Sequence, residues 1–70
     1  MKHEPTFNNA TKRVNIAKYC QKYGNAEGII EMVYHYHLRK DEVTDLIEKA
    51  LIFELITEDD VEPIKKEFEL

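Results

Sequence analysis

The sequence predicts an all-α fold, a small three-helix bundle with a short fourth C-terminal helix. Three observations carry that reading. Apolar residues recur at spacings of three and four along most of the chain, the signature of amphipathic helices. Helix-ending and helix-starting residues interrupt the pattern at Gly24-Asn25 and again at Thr57. The one stretch with strand-like alternation, residues 33–38, has no second strand with which to pair. Seventy residues make one domain at most. The expected organisation is a flexible start over residues 1–8, which contain Pro5, and a single helical domain over 9–70. A chain this short buries only about 60% of the surface its unfolded form exposes. Each good apolar side chain is needed for the core, and a large catalytic cavity would remove scarce packing.

The first helix is predicted over residues 10–23, capped by Asn8 or Asn9, whose short side-chain oxygens accept from the free amides of a first turn. Its inner side is assigned to Ala10, Val14 and Ala17, with Ile16, Tyr19, Cys20 and Tyr23 continuing the arc. Gly24 suits the left-handed residue that ends a helix. Asn25 then caps a second helix over 26–37, weakened slightly by Gly28 in its first turn. Its buried stripe is Ile29, Ile30, Val33 and either Tyr36 or His37.

After a short break at 38–40, a third helix runs over 40–53 on Val43, Leu46, Ile47, Ala50 and Leu51. Asp41 and Glu42 in its first turn suit the positive end of the helix dipole. Residues 51–56 are apolar on all sides, so they form either the most buried part of the domain or a surface awaiting a partner. At Thr57 a last short helix begins. Ile56 and Val61 match a hydrophobic staple, and Asp60 stands where a capping box puts its acid. Pro63 removes one backbone bond from a helix interior, so the helix either kinks there or restarts with Pro63 in its first turn. Ile64 and Phe68 face inward.

Charge is divided along the chain. Residues 1–40 carry seven bases and three acids, a net of +4, and residues 41–70 carry three bases and eleven acids, a net of −8. Such asymmetry governs association more than fold. It reads either as two solvated faces attracting each other across the domain or as an acidic surface aimed at a basic partner. Cys20 is the only cysteine, which excludes an intramolecular disulfide and a zinc framework. It reads as a small helix-face residue, with no base placed to activate it. There is neither a secretory leader pattern nor a run of 18 apolar residues, and the expected compartment is the cytoplasm.

Tyr34, His35, Tyr36 and His37 are the most conspicuous local cluster. On a strand, His35 and His37 would share a face and could bind a metal; on a helix, residues two apart diverge. The helical reading leaves Glu31 and His35 as a pair too small for a site, so no metal is expected. Phosphate-binding and nucleophile-elbow motifs are absent, and the carboxylates fall on faces expected to be solvated. No catalytic residue and no cofactor are expected. The second helix, the break and the third helix match the outline of a helix-turn-helix. Its recognition helix, residues 41–53, would set Asp41, Glu42, Asp45 and Glu48 against phosphates, which removes the gain from counterion release. Lys12, Lys18 and Lys22 on the first helix are the better candidates for nucleic-acid contact.

The stretch Ile29-Ile30-Glu31-Met32-Val33, the break at Leu38, Glu42-Val43 and Ile56-Thr57-Glu58 together resemble the small late-transcription coactivators of T4-like bacteriophages, over residues 29–64. That resemblance implies a protein of the host cytoplasm that bridges host RNA polymerase and the phage sliding clamp. It implies that the apolar face of the second and third helices docks on polymerase. The terminal Glu67-Phe68-Glu69-Leu70 resembles the clamp-binding tail, with Phe68 and Leu70 as anchors. The expected function is a small non-catalytic adaptor or regulator that binds protein, with Leu51, Ile52, Phe53, Phe68 and Leu70 as contact residues. The alternatives are a nucleic-acid-binding module using the basic N-terminal half, and a self-assembling protein that buries residues 51–56 in a homodimer.

Overall fold

The computed structural model describes residues 9–70, with side chains from Thr11 onward. The expectations for the flexible start, Asn8 and the Ala10 side chain lie outside these bounds. Four helices follow one another: α1 (Asn9–Tyr23), α2 (Asn25–Tyr36), α3 (Lys40–Ile52) and α4 (Glu58–Phe68). The described residues contain no strand, so the all-α expectation holds and residues 33–38 do not pair as a strand.

Helix α2 is the hub. It packs most extensively on α1 and next on α4, and α3 makes lesser contact with each of the other three. The core collects Ile16 and Cys20 from α1, Ile29, Ile30, Met32 and Val33 from α2, and Val43, Leu46, Ile47 and Ala50 from α3. Ile56 of the last loop and Val61 and Ile64 of α4 complete it. Among the described residues no polar or charged side chain is buried. The expected interior of α1 is corrected at Val14, which is 60% exposed. Two residues advance a helix by about 200°, so Val14 and Ile16 cannot both face inward, and the core takes Ile16. Tyr23, Tyr36 and His37 are likewise exposed rather than buried.

A single residue joins α1 to α2. Gly24 has φ 105° and ψ 160°, a positive-φ conformation that an L side chain rarely adopts. This is extended in ψ, and so is not the left-handed helical geometry expected of it. Its amide still donates to Cys20 O at 2.9 Å, and its carbonyl accepts from Gly28 at 2.6 Å. Gly24 therefore ends α1 and stands at the N-cap of α2, while Asn25, the expected cap, is the first residue of the helix. Gly28 has a role beyond weakening the first turn. A Cβ built on it would lie 2.7 Å from Cys20 Cα, Cys20 N and Tyr19 C. The two helices meet backbone to backbone at this point, and only glycine leaves room.

Helices α2, α3 and α4 end alike. His37, Glu54 and Glu69 have φ 57°, 61° and 57°, and the next residue in each case is a leucine. Leu38 donates its amide to Val33 O at 3.1 Å, Leu55 to Ala50 O at 2.9 Å and Leu70 to Lys65 O at 2.9 Å. These are the six-to-one bonds of a Schellman ending, which satisfies carbonyls left open at a helix terminus. Each ending places a non-glycine residue in the left-handed region at a cost of about 1–2 kcal/mol.

At the start of α4, Asp60 Oδ2 accepts from the Thr57 amide at 2.9 Å and the Thr57 hydroxyl at 3.2 Å, and Ile56 and Val61 are both buried, as the staple requires. Glu42 does the same for α3, accepting from the Arg39 amide at 2.8 Å. Helix α4 neither restarts nor ends at Pro63, which lies inside it. The proline is exposed, so water can reach the carbonyl whose amide partner it removes.

Candidate functional site

Five residues are expected from the sequence to face a protein partner, and the structure separates them. Leu51, Phe53 and Phe68 are half-buried and pack against the core. Phe68 also lies 5.4 Å, centroid to centroid, from Tyr34 of α2, whose hydroxyl donates to Glu67 at 2.5 Å. Phe68 thus fastens α4 to α2, and truncating it would disturb the fold before any partner was tested. Only Ile52, 63% exposed, and Leu70, 42% exposed, present substantial apolar surface. Part of the reason for Leu70 is local, since its backbone closes α4. The stretch 51–56 is therefore neither uniformly buried nor uniformly free: Ile56 is in the core and Ile52 is in solvent.

The three candidate lysines also separate. Lys12 turns toward α3 and bonds Asp45 at 3.1 Å, with its side chain only 17% exposed. Lys49 reaches the other oxygen of the same carboxylate at 2.9 Å. The hydrogen bond from Lys49, followed by that from Lys12, holds the Asp45 carboxyl below its usual range, against an opposing effect of burial. Lys12 is thus a tie between the basic and acidic halves of the chain rather than a free phosphate contact. Charge asymmetry is in this respect spent inside the molecule. A lesser tie runs from Asn25 Nδ2 to Asp60 Oδ2 at 3.4 Å.

Asp60 is also held below the usual carboxylate range, first by the Thr57 amide and then by Asn25 and the Thr57 hydroxyl. A carboxylate depressed in the folded state stabilises the fold above its unfolded pKa, and that contribution disappears as pH falls through the folded value. Replacing Asp45 by Asn is expected to lower the urea midpoint at neutral pH. The gap from the parent protein should begin to narrow as pH falls below about 4, the ordinary carboxylate range, and close as pH passes through the lower folded value of Asp45, where the parent carboxyl is itself neutralised. A gap independent of pH would show that the ion pairs contribute nothing. No large value is expected, because the Asp45 side chain that both pairs share is 46% exposed and water screens it.

Lys18 and Lys22 remain exposed and border an open groove of about 310 Å³ formed with Asn15, Tyr19, Tyr23 and Tyr36. Tyr19 is the ring the others share. The Tyr19 ring is 5.9 Å from Tyr23 and 6.3 Å from Tyr36, and 6.1 Å from His35. His35 and Tyr36 meet edge to face at 4.8 Å. The Lys22 ammonium stands 5.3 Å from the Tyr23 ring centre, a cation–π arrangement. Burial, then Tyr36, raises the Tyr19 phenol above its ordinary pKa, so this ring is a neutral donor at physiological pH. The conspicuous 34–37 segment thus divides between two neighbours, with Tyr34 on α4 and with His35 and Tyr36 on α1. Among the described residues no group of three or more potential metal ligands forms.

A second open groove, about 330 Å³, lies between Lys12 of α1 and the start of α3. Leu38 and Leu46 supply its apolar surface, and Asp41, Glu42 and Asp45 its carboxylates. Cys20 is buried, with Sγ 3.6 Å from Asn25 O, and burial followed by Asp60 raises its thiol pKa. That is the opposite of what a nucleophilic thiolate needs. No described helix is long and apolar enough to cross a membrane.

Sequence reasoning missed the Tyr19–Tyr23–Tyr36 grouping. Position along α1 assigns Tyr19 and Tyr23 to the core, and nothing in the residue spacing of either helix shows which turn of α2 meets which turn of α1. The interleaving of Lys18 and Lys22 with Tyr19 and Tyr23 was the available signal. Compared with family models, curated proteins and solved structures, the chain matches none.

Proposed function

We propose that the chain is a small non-catalytic adaptor or regulator that docks on a protein partner through the acidic side formed by α3 and α4. The observation that carries this reading is Ile52, a large aliphatic residue 63% exposed at the end of α3 in the half of the chain with net charge −8. An exposed apolar anchor in an acidic part of the chain has the composition of an interface centre with its polar rim. The groove beside Leu38 and Leu46 has Asp41 and Glu42 at its edge, the Asp45 carboxylate there being already bound by Lys12 and Lys49, and suits a basic side chain with an apolar stem. The partner is accordingly a protein with a basic surface. The resemblance of residues 29–64 to phage coactivators directs the search to the transcription machinery, RNA polymerase or a sliding clamp, in the cytoplasm of a host cell. The helix arrangement that supports this is a three-helix bundle, α1 to α3, with α4 held against α2.

A photo-crosslinking amino acid at position 52 tests the proposal. The expected product is a heterologous adduct with a basic region of polymerase or clamp. Ile52→Ala should weaken that partner's binding about tenfold, the loss of one strong anchor, and shift stability by no more than about 0.5 kcal/mol. Crosslinks solely between copies of the chain, with a dimeric mass in solution, would replace the adaptor with the self-assembling alternative. A helix-turn-helix use of α3 is not favoured, because Asp41, Glu42 and Glu48 are exposed on that helix.

A further inference from the structure

We propose that the groove between α1 and the last turn of α2 binds single-stranded nucleic acid, with Tyr23 and Tyr36 stacking on bases around Tyr19 and with Lys18 and Lys22 pairing with phosphates. The case begins with helix geometry. Lys18 and Lys22 are four residues apart and so lie on one face, one turn from each other. Tyr19 and Tyr23 form a second row at the same spacing, with ring centres 5.9 Å apart. Tyr36 extends the aromatic row from α2 at 6.3 Å from Tyr19. The groove thus sets a line of rings beside a line of cations, and Asn15 supplies a hydrogen-bonding amide at its border.

The two rows answer the two halves of an unpaired strand. Bases offer flat π-faces that stack on aromatic rings whatever the sequence, and the phosphates follow a parallel line of positive charge. Tyr23 and Tyr36 are 41% and 37% exposed, so each retains open surface for a base. Lys22, already over Tyr23, would bridge the two rows by holding a phosphate beside the ring.

Two other occupants fit less well. A duplex hides its base faces, so three grouped tyrosines would add nothing to its binding, and two lysines are a small footprint for its phosphate density. An acidic peptide would use the lysines alone and bring carboxylates against the negative faces of the rings. Lys12 belongs to Asp45 and takes no part. This site is separate from the acidic side carrying Ile52, so the two bindings are tested independently.

The experiment uses the full chain and a short fluorescein-labelled oligothymidylate, followed by anisotropy at increasing salt. Two phosphate contacts on a single strand predict a slope of log affinity against log salt of about −1.4. Lys18→Gln with Lys22→Gln should flatten that slope toward zero. Tyr23→Ala should weaken binding roughly tenfold while leaving the slope unchanged, since it removes a stack and not a charge. All three positions are exposed, and far-UV circular dichroism of each variant checks that helix content is kept. Three results would overturn the proposal: no single-strand binding at low salt, duplex bound as tightly as the single strand, or a polyglutamate peptide that competes as strongly as unlabelled oligothymidylate. A loss on Lys12→Gln equal to that of the Lys18 and Lys22 changes would also exclude this groove.

Discussion

Gly28→Ala is expected to destabilise the domain by about 3 kcal/mol, the upper end of the usual cost of overpacking. Helix propensity taken alone predicts the reverse, since alanine is favoured over glycine by about 1 kcal/mol in a helix interior. Packing decides between them. The added methyl would stand 2.7 Å from three backbone atoms of Tyr19 and Cys20. Backbone in the middle of a helix cannot swing aside as a flexible side chain does, so α1 and α2 must separate. Separation would also loosen Ile16, Cys20 and Ile29, all buried in the same core. A domain of this length has about 4–10 kcal/mol to lose. The melting temperature should therefore fall by about 12–24 °C, at about 4–8 °C per kcal/mol. Thermal and urea unfolding followed by circular dichroism measure the effect. A Gly28→Ala variant as stable as the parent would show that the helices do not approach this closely.

Ile64→Ala is the second large effect, expected to cost about 2–5 kcal/mol. Ile64 has no exposed surface although it stands next to Pro63, near the chain end, in a helix whose other residues are mostly charged. A detachable tail would tolerate the change. Here the side chain enters the common core with Val61, and Tyr34, Glu67 and Phe68 hold α4 to α2 from outside. The comparison with Ile52→Ala makes the test sharp, because the same carbons are removed from a side chain that is 63% exposed. Ile64→Ala should lower the urea midpoint strongly and Ile52→Ala hardly at all. Equal effects would contradict the placement of one isoleucine in the core and the other in solvent.

Much of the helical pattern was legible because it depends on neighbours a few residues away. The stripe of Val43, Leu46, Ile47 and Ala50 is buried as read, and the staple of Ile56 and Val61 closes on the Asp60 cap as read. Errors arose where two local readings competed. Val14 and Ile16 both looked internal, and only the position of α2 selects Ile16. Gly24 looked like an ordinary helix-ending glycine, yet with one linking residue it must also open α2. The Schellman endings at His37, Glu54 and Glu69 escaped notice because none carries the usual glycine.

The candidate sites were less legible than the helices. Exposure separated Ile52 from Leu51 and Phe53, which the apolar run groups with it, and from Phe68, which the resemblance to a clamp-binding tail adds to them although its helix position faces it inward. Ion pairing separated Lys12 from Lys18 and Lys22, which composition alone had grouped together. Both separations depend on residues far away in the chain: Asp45 is 33 positions from Lys12, and Tyr34 is the same distance from Glu67.

By itself, the sequence determined that this chain is helical, where its helices run within a residue or two, and that its charge is divided between halves. Those properties follow from local spacing, capping and composition, which act over a single turn. Tertiary structure alone decided that Gly28 is a contact between backbones, that Leu51 and Phe53 belong to the fold and Ile52 to the surface, and that Tyr19, Tyr23 and Tyr36 gather beside two lysines. Each of these depends on which helix face meets which, and that is set by packing the whole core at once.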